Sequence, residues 1–162
     1  MRIDEKLQTV ILLILAAYGL LISIPLLLGG RVVEPFSELG VLGPEMKLGD
    51  YPHDVQIGEN IDLFVYIGNH EGSVSYYKVL FKEGARDLNV SDVEPYRGDI
   101  IGQAEFLLLD GKNVTKPITI RLHQSGLNRR LVFELQQFDP TSGYFKYDGI
   151  WTQLWFNVTE AG

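Results

Sequence analysis

Cysteine is absent from the 162 residues, so no disulfide, thiolate metal site or cysteine nucleophile is available. Whatever folds here is held by packing alone. Histidine is scarce, with three residues, and none stands in the H-E-x-x-H spacing of a helical zinc site. Positive charge is in the minority: 14 Lys and Arg against 21 Asp and Glu leave a net charge of −7. Arg2, Asp4, Glu5 and Lys6 cancel within the N-terminal segment, so the whole excess falls after it. An acidic surface repels phosphate backbones, which argues against a nucleic-acid partner; its simplest role is solubility. The G-x-S-x-G elbow, the Walker loop and the G-x-G-x-x-G turn are all missing. After residue 30 no long apolar run and no amphipathic helical period occur.

One long apolar run does exist. Leu7 to Gly30 carries no charge and is rich in Leu and Ile. A bilayer core of about 30 Å needs about 20 helical residues, so residues 7–30 are expected to form a transmembrane helix. A cleaved signal peptide would have a shorter apolar region and a small-x-small site, and Gly29-Gly30 is a poor one. Arg2, Lys6 and the α-amino group precede the run, while Arg31 alone follows it closely. The positive-inside rule then places residues 1–6 in the cytoplasm and 31–162 outside the cell membrane, with a single pass. Ala16, Gly19 and Ser23 are small residues at helical spacing, which lets another helix approach. Pro25 would loosen the last turns, and the Tyr18 hydroxyl would seek a partner near mid-bilayer. The expected partners are the lipid bilayer and another integral membrane protein.

From Arg31 onward the period becomes two. Ile61, Leu63, Val65 and Ile67 alternate with Asp62, Phe64, Tyr66 and Gly68; Leu131, Phe133 and Leu135 alternate with Val132, Glu134 and Gln136. Leu154, Phe156 and Val158 lie opposite Trp151, Gln153, Trp155 and Asn157. This is strand patterning with one buried face. Seven or eight strands are expected near 36–42, 54–57, 60–68, 74–82, 100–109, 114–122, 129–138 and 150–158. Turn signals separate them, and Asp110-Gly111 predicts a hairpin between the fifth and sixth. The longest irregular stretch, 83–99, reads as a surface loop. The predicted fold is all-β, an immunoglobulin-like antiparallel β-sandwich preceded by one transmembrane α-helix.

The run Phe36-Ser-Glu38-Leu-Gly-Val-Leu42-Gly43-Pro44, then Tyr51-Pro52, Gly58-Glu59-Asn60, Gly68-Asn69-His70-Glu71 and the closing Leu154-Trp155-Phe156-Asn157-Val158, carries a resemblance over most of 34–159. It resembles the extracytoplasmic β-sandwich domain of an archaeal membrane-protein family of unknown function. The resemblance implies an archaeal cell-envelope setting and a sandwich akin to adhesion-type modules. Members of that family carry several helices before the domain and this chain has one, so nothing of those helices is carried over. No activity and no catalytic residue come with it.

Three N-x-[ST] sequons, at Asn89, Asn113 and Asn157, exceed the roughly half a sequon that chance allows for this composition. They mark candidate glycosylation sites on an outer domain; the plainer reading is that Asn, Ser and Thr favour turns and strand edges. His53 in Asp50-Tyr51-Pro52-His53-Asp54 and His70 before Glu71 offer oxygen and nitrogen donors, but a loop aspartate more often caps a turn than binds a metal. No metal and no cofactor is expected. Trp151 and Trp155 share one face of the last strand, with Tyr144, Phe145 and Tyr147 upstream, and Tyr66, Tyr76 and Tyr77 lie close in sequence. An exposed aromatic strip would suit a sugar, a protein or the membrane interface; packing is the plainer reading. Because the opposite face of the strand fills the core, Trp151 and Trp155 are expected on an interaction surface. The expected function is a non-catalytic accessory or scaffold subunit of an envelope membrane complex. A stand-alone module binding surface glycan or S-layer protein is the second reading, and a small envelope-glycan hydrolase using carboxylates is the third.

Overall fold

A computed structural model describes residues 5–28 and 34–160, with side chains at 7–23 and 34–160. Residues 1–4, the Gly29-Gly30 pair and Arg31 lie outside the described residues, as do the side chains of Lys6 and Pro25. The chain divides into two compact units, Met1–Glu34 and Pro35–Gly162.

The first unit contains one helix, α1, Glu5–Leu28. Leu, Ile and Ala favour it, and no glycine or proline interrupts it before Gly19. Its large apolar side chains are exposed on every side, from Leu7 and Val10 through Leu15 and Tyr18 to Ile22. Among the described residues, no helix is long and apolar enough to cross a membrane. The described side chains, 7–23, cover about 26 Å of helix against a hydrocarbon core of about 30 Å. The span expected over 7–30 therefore exceeds what the described residues support, and its last residues lie beyond them.

The second unit is a sandwich of eight strands: β1 (Phe36–Leu42), β2 (Asp54–Gln56), β3 (Ile61–His70), β4 (Ser75–Gly84), β5 (Asp99–Leu108), β6 (Lys112–Ile120), β7 (Gly126–Asp139) and β8 (Tyr144–Thr159). A short 3₁₀ turn, Pro44–Met46, follows β1. One sheet runs β1-β3-β6; the other runs β2-β8-β7-β4-β5. All pairings are antiparallel except β2 with β8. Every strand expected from the period-two patterning is present.

The inward rows are the ones the alternation indicates. Ile61, Leu63, Val65 and Ile67 from β3 meet Tyr77, Val79 and Phe81 from β4, Leu131, Phe133 and Leu135 from β7, and Phe156 and Val158 from β8. At roughly 1.5–3 kcal/mol for each large apolar side chain buried, this core is the main stabilising term. Two buried polar residues close the ends. Asn69 donates to the Ser73 and Leu108 carbonyls at 2.8 and 2.9 Å. Glu83 accepts the backbone N–H groups of His123 and Gln124, both at 2.9 Å.

The expected β5–β6 hairpin does not form. The Asp110-Gly111 turn is present, with Gly111 at φ 68°, but β5 pairs with β4 and β6 with β3. The turn carries the chain from one sheet to the other because each strand has an apolar row that must face inward. Gly111 N–H and Asp110 Oδ1 are spent on the β3–β4 connection, on Asn69 O and Gly72 N at 2.8 and 2.9 Å. β6 is left as an edge strand, with Lys112, Asn113, Lys116 and Pro117 exposed.

Candidate functional site

The second sheet has an outer face that alternation assigns to solvent, yet part of it is buried. Val132 and Glu134 are fully covered, and Lys82 and Arg130 nearly so. The cover is residues 85–98, within the stretch 83–99 read as a surface loop, which lies as a strap across β4, β7 and β8. Tyr96 is its anchor, 1% exposed. Its backbone N–H donates to Glu134 Oε1, its carbonyl accepts Lys82 Nζ at 2.8 Å, and its hydroxyl donates to Ala85 O at 2.9 Å. Lys82 Nζ also meets Glu134 Oε2 at 2.5 Å, as a close charge contact outside hydrogen-bond geometry. Burial and the nearby acids Asp87 and Glu83 raise the Tyr96 hydroxyl above its ordinary value, against the pull of Arg130 and Arg129.

Further along, Arg130 Nη1 donates to Leu88 O at 2.7 Å and Tyr147 Oη to Ser91 O at 2.6 Å. Burial foremost, helped by Glu134, Asp92 and Asp148, pushes the Tyr147 hydroxyl up to about 12. Gly149 lies against Asp92: a Cβ there would stand 2.6 Å from the Asp92 carbonyl oxygen, and its φ is +79°. This glycine belongs to an irregularity in β8 opposite Glu134–Gln136, which makes room for the strap.

The Arg130 guanidinium sits among three rings, 5.2 Å from Tyr96, 5.5 Å from Trp151 and 5.4 Å from Trp155. Its Nε donates to Gln153 Oε1. The two indoles stand outside the core, as the strand alternation requires, and both are half-buried. They are not a free strip, because this chain's own cation fills the space between them. Arg130 and Tyr96 were not legible as part of the site; the only signal was an arginine at an outward position of a strand otherwise suited to burial. The upstream aromatics go elsewhere. Phe145 packs with Tyr76 and Phe138 under Lys78, and Tyr144 is exposed. Tyr66 lies on the other sheet, where its hydroxyl donates to Glu38 at 2.7 Å, and Tyr77 is in the core.

β7 begins with a bulge. Gly126 faces Val158 and Arg129 faces Phe156, so one extra residue is accommodated, with Asn128 in the left-handed region at φ 54°. Asn128, Arg86 from the strap and Trp155 from β8 line a depression of about 390 Å³.

At the opposite end of the sandwich, Ser37 Oγ donates to Glu71 at 2.7 Å and lies 2.9 Å from the Tyr77 hydroxyl. Burial foremost, then Glu71, raises the nearby Asp148 carboxyl to about 6, while Ser37 offsets part of the effect. Asp148 lines a depression with Gln137, Phe138, Asp139, Pro140, Lys146 and Tyr147.

The sequons differ. Asn89 and Asn113 are exposed. Asn157 is engaged at both ends of its amide, donating to Asp54 at 2.9 Å and accepting the Asn128 N–H at 3.2 Å. In α1, Ser23 Oγ donates to Gly19 O at 2.8 Å, so its hydroxyl is satisfied within the helix, and a Cβ on Gly19 would meet nothing. His70 stacks on Phe36 at 4.6 Å and approaches Glu38 at 3.6 Å, while His53 contributes its carbonyl to Asn157 N. Among the described residues, no group of three or more His, Asp or Glu is arranged to hold a metal ion.

A family model described as a domain of unknown function, DUF1616, matches residues 31–143. No curated protein matches the chain. Among solved structures, a CARDB domain from Pyrococcus furiosus, in complex with di-metal ions, is similar with a TM-score of 0.47 and 10% identity, over 78% of this chain and 90% of that one. A β-glucosidase from Listeria innocua gives 0.46 and 9%, over 78% of this chain and 16% of its own length. The sporulation control protein Spo0M from Bacillus subtilis gives 0.44 and 13%, over 78% and 50%.

Proposed function

The chain belongs to the DUF1616 family, a domain of unknown function, and on that premise we propose that it is a membrane-anchored, non-catalytic accessory or scaffold subunit of an archaeal cell-envelope complex. In this reading the N-terminus is cytoplasmic and the sandwich is displayed outside. The observation that carries it is α1, whose apolar side chains are exposed on every side. An amphipathic helix would keep one polar face for water, and this one has none between Val10 and Ile22. The whole of Glu5–Leu28 amounts to about 36 Å of helix, and the apolar run continues in sequence to Gly30. Ala16 and Gly19 leave room for a neighbouring helix. On the sandwich, the polar clusters are spent on holding turns and the strap, which supports a framework role over catalysis.

Native membranes washed at alkaline pH test the anchor: the chain is expected in the pellet, and its release into the wash would overturn the reading. Mild-detergent purification of the tagged chain then tests the subunit role. A stoichiometric integral membrane protein is the expected companion; recovery of the chain alone moves the reading to a stand-alone surface module.

A further inference from the structure

Four of the described arginines have a hydrogen-bond partner within the chain: Arg97 on Glu94, Arg121 on Asn60, Arg129 on Gln124, and Arg130 on Gln153 and Leu88. Arg86 is the exception. It is exposed and has no hydrogen bond or ion pair among the described residues. In a chain of net charge −7, a guanidinium without a carboxylate partner stands out. Among the described residues, the depression it lines with Asn128 and Trp155 includes no acidic residue. The Asn128 side-chain amide is likewise unbonded among the described residues, while its backbone N–H is tied to Asn157 and its left-handed φ is held by the β7 bulge. Bulges re-aim side chains, and this one turns a carboxamide toward the same opening as the guanidinium. Trp155 is held in turn by Arg130, 5.4 Å from its ring.

We propose that this depression is a binding site for an acidic saccharide, a sugar ring bearing a carboxylate. The ring stacks its C–H face on the Trp155 indole, whose π-face is negative and suits the positive edges of those C–H bonds. The Arg86 fork takes the carboxylate, which is the geometry guanidinium matches best. The Asn128 amide, donor and acceptor at once, pairs with a ring hydroxyl, which is also both. A volume of about 390 Å³ fits one or two sugar rings. The site goes beyond the scaffold role and does not depend on the anchor, so either can fail without the other.

The test is calorimetric titration of the full chain in detergent with trigalacturonate and, separately, with its methyl ester. The acid is expected to bind and the ester to bind about tenfold more weakly, because only the acid offers a charge-assisted bond. Arg86→Gln should weaken trigalacturonate binding about tenfold and leave the ester within about twofold. Arg86 is exposed and makes no hydrogen bond or ion pair among the described residues, so this variant is expected to keep its fold. Trp155→Ala should abolish both. Equal binding of acid and ester, no binding of either at millimolar concentration, or an Arg86→Gln variant that binds the acid as before would each overturn the proposal.

Discussion

Removing the Lys82 side chain as Lys82→Ala should be among the most damaging single changes in the sandwich. Glu134 is completely buried and Lys82 is 10% exposed, so the pair lies beneath the strap, out of water's reach. Without Lys82, Glu134 keeps only the Tyr96 N–H, and the Tyr96 carbonyl loses its donor. Stranding one partner of a buried pair costs about 3–5 kcal/mol. That is a large part of the roughly 5–15 kcal/mol that holds a domain together. With an m-value of about 1.5–2 kcal/mol per molar, the urea midpoint should fall by about 2 M. Trp151 faces Glu134 in register, so tryptophan fluorescence reads the transition at the site itself. Lys78→Ala is the comparison: its pair with Glu105 spans 3.1 Å but is partly solvated, and its loss should cost about 1 kcal/mol or less. Replacing Lys82 and Glu134 together by methionine should recover most of the loss, since no unpaired charge remains. If Lys82→Ala costs no more than Lys78→Ala, the strap does not seal this pair from water and the account of the outer face is wrong.

Asp148 should set part of the pH dependence. Its folded carboxyl is raised to about 6 from an ordinary value near 4, so the folded state holds the proton through that interval while the unfolded chain releases it. Stability should therefore fall as pH rises from about 4 to 6, and Asp148→Asn should flatten that slope and raise the urea midpoint at pH 7. Gly149→Ala combines a left-handed φ with a clash on Asp92 O and should cost about 2 kcal/mol or more, with faster amide exchange confined to 85–98. Mass spectrometry of protein from its native host should find glycan on Asn89 or Asn113 and none on Asn157, whose amide is already bonded at both ends.

The strands were legible because period-two alternation is a local signal and each core row is continuous in sequence. Ile61 to Ile67 and Leu131 to Leu135 could face only one way. Their pairing was less legible: Asp110-Gly111 announces a turn, but whether it closes a hairpin or changes sheets depends on where β4 and β3 lie. The outer face misled for the same reason. Glu134 and Arg130 look like solvent residues until Tyr96, 38 residues from Glu134 in sequence, is laid over them. The indoles stood out by residue type, whereas Arg86 and Asn128 reach Trp155 only through the strap and the bulge. For α1 the composition speaks to the whole run, and the described side chains to part of it.

The free edge of β6 has a bearing on how densely such domains can be packed. An open strand edge is a template on which a second copy can add its own strand, and proteins crowded at high local concentration meet that hazard most often. Pro117 offers no N–H to such an intruder, Lys112 and Lys116 repel a like edge, and Asn113 would place any glycan directly in its path. The three-stranded sheet is thereby protected on that side against edge-to-edge pairing, the step from which fibre-like aggregation grows.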